Sequence, residues 1–185
     1  MCGMRGAPWL LLTLLAGCSF FRSTPKTEST VAAVLLAHDD GRTEGSLTFP
    51  TMHHEGVVRF ELPPGEHRLR RLWVQATAAG TLHWAIYDQT PMEGPGNLLN
   101  EGTMVVTAQA VSSGRDNLWL YEDLSALPAR QGVVWLGLKR TDGEPAIATS
   151  RIDAGQYFLR SFDPSSPMNL MPVRRTPLVR LEVVP

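Results

Sequence analysis

The sequence predicts an all-β fold, a single antiparallel β-sandwich of jelly-roll type. Three observations predict it. Short runs rich in β-branched and aromatic residues recur at the roughly 8–12-residue spacing of sandwich strands. The chain of 185 residues carries 16 Gly and 14 Pro, many of them between those runs, where turns belong. No stretch keeps a helical period over three turns.

The strands follow in order. Residues 31–38 read as the first, stopped by the turn signature Asp39-Asp40-Gly41. Residues 56–62 read as the second, ended by Pro63-Pro64-Gly65, a pair of prolines that cannot sit in a central strand. Residues 67–76 and 81–87 form the clearest hairpin pattern, with Ala79-Gly80 as its turn. Leu72, Val74 and Ala76 share one face of the first arm, and Leu82, Trp84 and Ile86 share one face of the second. Residues 88–97 read as a loop. Residues 98–99, 104–107, 118–124, 132–139, 156–162 and 178–183 supply the remaining strands, about nine in all.

The N-terminal segment is of another kind. Residues 7–16 are apolar apart from Thr13, and Arg5 precedes them. The run is too short to span a bilayer, which needs about 20 apolar residues. Its length suits a secretory signal. Leu14-Leu15-Ala16-Gly17-Cys18 resembles the lipobox of bacterial lipoproteins: a Leu, a small residue, Gly or Ala, then an obligatory Cys. The resemblance implies a diacylglycerol on the Cys18 thiol, cleavage before Cys18 and acylation of the new amine. Two or more acyl chains hold firmly where one does not. Ser19, and not Asp, follows the Cys, which by the same resemblance favours the outer membrane. The expected organisation is therefore a signal peptide over 1–17, the lipidated Cys and a polar tether over 18–30, and the folded domain over 31–185.

Composition narrows the function. Loss of residues 1–17 removes Arg5 and moves the net charge from −1 to −2. That balance lacks the basic footprint of a nucleic-acid binder. Cys2 leaves with the signal and Cys18 carries lipid, so the domain has neither a disulfide framework nor a thiolate metal site. The chain contains no Gly-x-Ser-x-Gly elbow, His-Glu-x-x-His pair, P-loop or dinucleotide fingerprint. Ser23-Thr-Pro-Lys26 matches Ser-x-x-Lys in letters alone, because Pro25 in a tether denies it the helical turn it needs. The expectation is a protein that is not an enzyme.

Several pieces in order resemble a β-sandwich domain of secreted bacterial proteins. They are Asp39-Asp40-Gly41, Val58-Arg59-Phe60, the stretch from Leu69 to Val74, Ile86-Tyr87-Asp88 with Gly94-Pro95-Gly96-Asn97-Leu98-Leu99, and Val134-Trp135-Leu136-Gly137-Leu138. Such domains resemble jelly-roll, galactose-binding-like and carbohydrate-binding modules. The resemblance covers about residues 38–183 and implies architecture more than ligand, since these sandwiches host many functions.

Candidate site residues follow from alternation and chemistry. Trp73 alternates against Leu72 and Val74, so it faces outward with Arg71 and Gln75. Trp119 and Tyr121 share a face that either packs inward or forms a platform. Trp84 and Trp135 read as core. Sugar-binding sandwiches stack pyranose rings on exposed aromatics, which makes Trp73, Trp119, Tyr121 and Arg71 the candidate ligand-binding set. Arg68, Arg70 and Arg71 form a small basic cluster that reads as a solvated strand face. Asp39, Asp40 and Asp153, with Glu44, are the oxygen ligands a structural calcium would use, and the alternative is an ordinary Asp-rich turn. His53-His54 would chelate only from a loop, because neighbours on a strand point to opposite faces. The expected function is a membrane-anchored, non-catalytic binding or adhesion module of the bacterial envelope, with a glycan as ligand. The alternative is a structural subunit of an envelope or surface protein complex.

Overall fold

The computed structural model describes residues 32–91, 94–112, 118–151, 155–162 and 170–185. Among these the protein is nearly all β. Eleven strands form one antiparallel sheet, and a single short helix, α1 (Ala108–Ser112), interrupts them. The strands are β1 (Val34–Ala37), β2 (Gly45–Thr48), β3 (His54–Glu61), β4 (Arg68–Gln89), β5 (Pro95–Val106), β6 (Trp119–Asp123), β7 (Val133–Ser150), β8 (Tyr157–Ser161), β9 (Met171–Pro172), β10 (Thr176–Pro177) and β11 (Val179–Val184). Their main order is β1-β11-β4-β7-β3-β8-β9. β2 and β10 also pair with β7, and β5 and β6 pair with β4. Among the described residues no helix is long and apolar enough to cross a membrane.

Two long strands make the sheet curl. The first half of β4 pairs with β11 and β6, while its second half pairs with β5 and β7. β7 pairs with β3 and β4 at its start and with β2 and β10 at its end. The sheet thus closes into a half-barrel around one core. Leu69, Leu72 and Val74 enter that core from the first half of β4, and Leu82, Trp84 and Ile86 enter from the second. Val58, Phe60, Leu136 and Leu181 complete its centre. The expected faces of β4 and the buried position of Trp84 are as the alternation indicated, and Trp135 is buried on the face opposite Leu136.

The hairpin expected at Ala79-Gly80 is not there. β4 runs straight through that pair as one 22-residue strand. Gly80 instead marks a bend shared with β7, where it lies opposite Gly143. Both glycines have positive φ, 149° and 66°. A Cβ on Gly80 would lie 2.8 Å from the Pro145 nitrogen and 2.9 Å from the Asp142 carbonyl oxygen. Only glycine lets the two backbones approach so closely while both strands turn. The real hairpin joins β4 to β5 across residues 90–94, and the expected fragments 98–99 and 104–107 are parts of the single strand β5.

Candidate functional site

One face of the sheet is built from four neighbouring strands, β1, β11, the first half of β4, and β6. Register fixes which side chains share it. Leu35, Glu182, Arg71 and Asp123 lie in one row across the strands. Ala37, Arg180, Trp73 and Tyr121 lie in the next, and Gln75 pairs with Trp119 beyond them. The opposite face carries Leu36, Leu181 and Leu72 toward the core. Strand alternation alone therefore sends the aromatic and charged set outward.

A bulge in β4 adds a second arginine. Arg71 pairs with Glu182, and the next partner, Val183, pairs with Leu69. Arg70 is the extra residue. Leu69 and Leu72 both remain fully buried while Arg70 and Arg71 both reach the Glu182 carboxylate. A bulge puts two consecutive side chains on one side, which regular alternation forbids.

The contacts form two linked clusters. In the first, Arg70 Nη1 donates to Glu182 Oε1 at 3.0 Å and Trp73 Nε1 donates to Glu182 Oε2 at 3.2 Å. The Trp73 and Tyr121 rings sit 5.0 Å apart, tilted by 44° and so not coplanar. The Arg71 guanidinium lies 5.9 Å from the Trp73 ring and 5.2 Å from that of Tyr121. In the second cluster, Arg180 grips the buried Asp39 carboxylate through Nη2 at 2.7 Å and Nε at 3.3 Å. Its guanidinium stacks 4.4 Å from the Trp119 ring. Between the clusters lies an open hollow of about 260 Å³ lined by Leu35, Trp73, Trp119 and Arg180. Tyr121 is 56% exposed and Leu35 49% exposed, while Trp73, Trp119 and Arg71 are half-buried. At the far rim, hydrogen bonds from Ser125 hold the Asp123 carboxyl below the usual carboxylate range, with the charges of Arg71 and Arg70 adding to the effect.

Trp73, Trp119, Tyr121 and Arg71 thus stand together on one face. Leu35, Arg180, Glu182 and the role of Asp39 were not foreseen. Alternation in β11 already marked Arg180 and Glu182 as outward. Their neighbours across the sheet are set by long-range register, which local sequence does not carry.

The proposed oxygen ligands are placed differently from one another. Asp39 is occupied by Arg180 and by the Gly41 N–H at 2.8 Å. Asp40 accepts the Arg42 N–H at 3.1 Å on the surface. Asp153 lies outside the described residues, as does Cys18. His54 Nδ1 is hydrogen-bonded to Thr51 Oγ1 at 2.7 Å. Among the described residues no three His, Cys, Asp or Glu side chains gather to hold a metal.

A second polar cluster lies on the outer face of the other half of the sheet. Glu55 on β3 is fully buried and pairs with Arg160 on β8, its direct cross-strand neighbour. The Tyr87 hydroxyl donates to Glu55 Oε1 at 3.0 Å. Burial, followed by the Glu55 charge, pushes the Tyr87 phenol well above its ordinary range. The Arg160 guanidinium sits 4.5 Å from the Tyr87 ring and 4.6 Å from the Phe162 ring. Gly137 makes room for this arrangement, because a Cβ there would lie 2.6 Å from Glu55 Cδ and 2.9 Å from Tyr87 Cε2.

No family model and no curated protein matches the chain. Among solved structures, the chain is similar to the crystal structure of the cysteine protease and lectin-like domains of Cwp84, a surface layer associated protein of Clostridium difficile. The TM-score is 0.46 and the identity 8%, over 71% of this chain and 32% of that one. The chain therefore spans about a third of that protein's length. The likeness is distant, and no property of that protein is carried to this one.

Proposed function

We propose that the domain is a non-catalytic binding module of the bacterial cell envelope, lipid-anchored through Cys18, with the outer membrane as the favoured site. Its ligand is a glycan, taken on the face formed by β1, β11, β4 and β6. The carrying observation is a hollow lined by Trp73 and Trp119, with Tyr121 and Arg71 packed beside Trp73 on the same face. Indole and phenol rings offer flat apolar faces to the C–H side of a pyranose, and polar neighbours orient it. The hollow's lining of Leu35, Trp73, Trp119 and Arg180 contains no nucleophile and no group that exchanges protons near neutrality.

The test is a tryptophan-fluorescence titration of the detergent-solubilised full chain against a panel of polysaccharides that includes peptidoglycan. A saturable shift, lost in Trp73→Ala or Trp119→Ala, is the expected result. A flat response across the panel would overturn the reading and favour a structural subunit in a protein complex, to be sought by crosslinking in intact cells. Cys18→Ala should release the protein from the membrane fraction and leave it unprocessed. Unchanged membrane association would remove the anchor from the proposal.

A further inference from the structure

The charged side chains around the hollow are engaged to different degrees. Glu182 is occupied, since Arg70 and Trp73 donate to its two oxygens. Asp39 is occupied too, by two N–H groups of Arg180 and one of Gly41. The acceptors nearest the hollow therefore have their partners. The donors do not. Arg180 uses Nε and Nη2 on Asp39, and among the described residues its Nη1 has no partner. Arg71 comes no nearer to Glu182 than 3.7 Å, beyond hydrogen-bond range, and lies near the rings of Trp73 and Tyr121 and the charge of Asp123.

A neutral sugar hydroxyl both donates and accepts, so a site for neutral sugars needs free acceptors as well as donors. A carboxylate only accepts, and its planar pair of oxygens matches a guanidinium edge. Arg180 is the cross-strand partner of Trp73, and Arg71 lies two residues before Trp73 on the same strand. Arg71 and Arg180 are thus diagonal neighbours on adjacent strands, on the same face of the sheet as the ring that would carry the sugar. Both are already balanced by carboxylates, so their preference is short-range and directional, not a long-range field.

Resting on the glycan-binding reading, the geometry points to an acidic sugar as the ligand: a pyranose whose ring lies on Trp73 and Trp119 and whose carboxylate meets Arg180 Nη1 and Arg71. Asp39 is a positioning residue, which holds Arg180 so that its free edge faces the hollow.

The experiment uses a matched pair of probes on the detergent-solubilised full chain. One is a glucuronate oligomer. The other is the same oligomer with its carboxyls reduced to neutral alcohols. The wild type should bind the acidic probe about tenfold more tightly or better, the ratio that one charge-assisted hydrogen bond supplies. Because the attraction is short-range, the preference should persist at physiological salt. Arg71→Gln and Arg180→Lys should each bring the ratio of acidic to neutral binding down to about threefold or less, whatever they do to the affinity for the neutral probe. Arg180→Lys keeps a cation beside Asp39, and Arg71→Gln leaves Arg70 on Glu182, so the fold keeps its buried pairs. Equal binding of the two probes would overturn the acidic-sugar inference and leave glycan binding standing. An unchanged ratio in both variants would remove the two arginines from it. Binding of neither probe, with no response to the wider panel, would bring down both readings.

Discussion

Replacing Arg160 with Met isolates the worth of the buried charge beside Glu55. Met keeps most of the apolar stem and removes the guanidinium. Glu55 is then left fully buried with the Tyr87 hydroxyl as its remaining side-chain donor. Breaking a buried pair by removing one partner costs roughly 3–5 kcal/mol. A domain of this size has about 5–15 kcal/mol in total, so the loss is a large fraction of it. It corresponds to a fall in melting temperature on the order of 10 °C. The double variant Glu55→Gln with Arg160→Met removes both charges, and it should recover about 2 kcal/mol or more of the single variant's loss. Urea unfolding of the four proteins, with unchanged slopes, measures the coupling. A single-variant loss under about 1 kcal/mol, strictly additive with Glu55→Gln, would show that the pair is solvated and refute the reasoning.

Gly137→Ala places a methyl against the Glu55 carboxyl and the Tyr87 ring, and it should cost about 1–3 kcal/mol by overpacking; an unchanged urea midpoint would contradict the close approach. Gly80→Ala puts a Cβ against backbone atoms of Asp142 and Pro145, which no side-chain rotation relieves, so a loss of about 2 kcal/mol or more is expected in the same assay. Ser125→Ala removes the main cause of the lowered Asp123 pKa, so its carboxyl signal should titrate at higher pH when followed by NMR. Because the folded-state value is the depressed one, the Asp123 contribution to stability is present above the unfolded carboxylate range near pH 4 and fades as pH falls through the folded value. A titration identical to wild type would sink that assignment.

Alternation made the interior legible. The inward faces of β4, Trp84 among them, followed from period-two patterning, as did strands near β1, β3, β6, β8 and β11; Trp135 is buried on the face opposite Leu136. What stayed hidden depends on partners distant in sequence. Ala79-Gly80 carries the letters of a hairpin turn, but Gly143 and Pro145 of β7 occupy the space beside it and hold β4 extended. β7 likewise runs on through Asp142-Gly143, beyond the residues 132–139 that the pattern marked as a strand. Glu55 and Arg160 carried no signal in the sequence, because their burial depends on each other and on Tyr87, 32 residues from Glu55. The aromatic set of the candidate site was visible residue by residue. Its meeting point was not, since it needs β11 to lie between β1 and β4.

The place of β1 has a mechanical meaning. Among the described residues this four-residue strand pairs with β11 alone, with Val34 opposite Val183 and Ala37 opposite Arg180. Peeling β1 away carries off Leu35, one wall of the hollow. Whatever loosens this edge strand therefore opens the hollow as well, and the site is only as firm as the four rungs that hold β1 to β11.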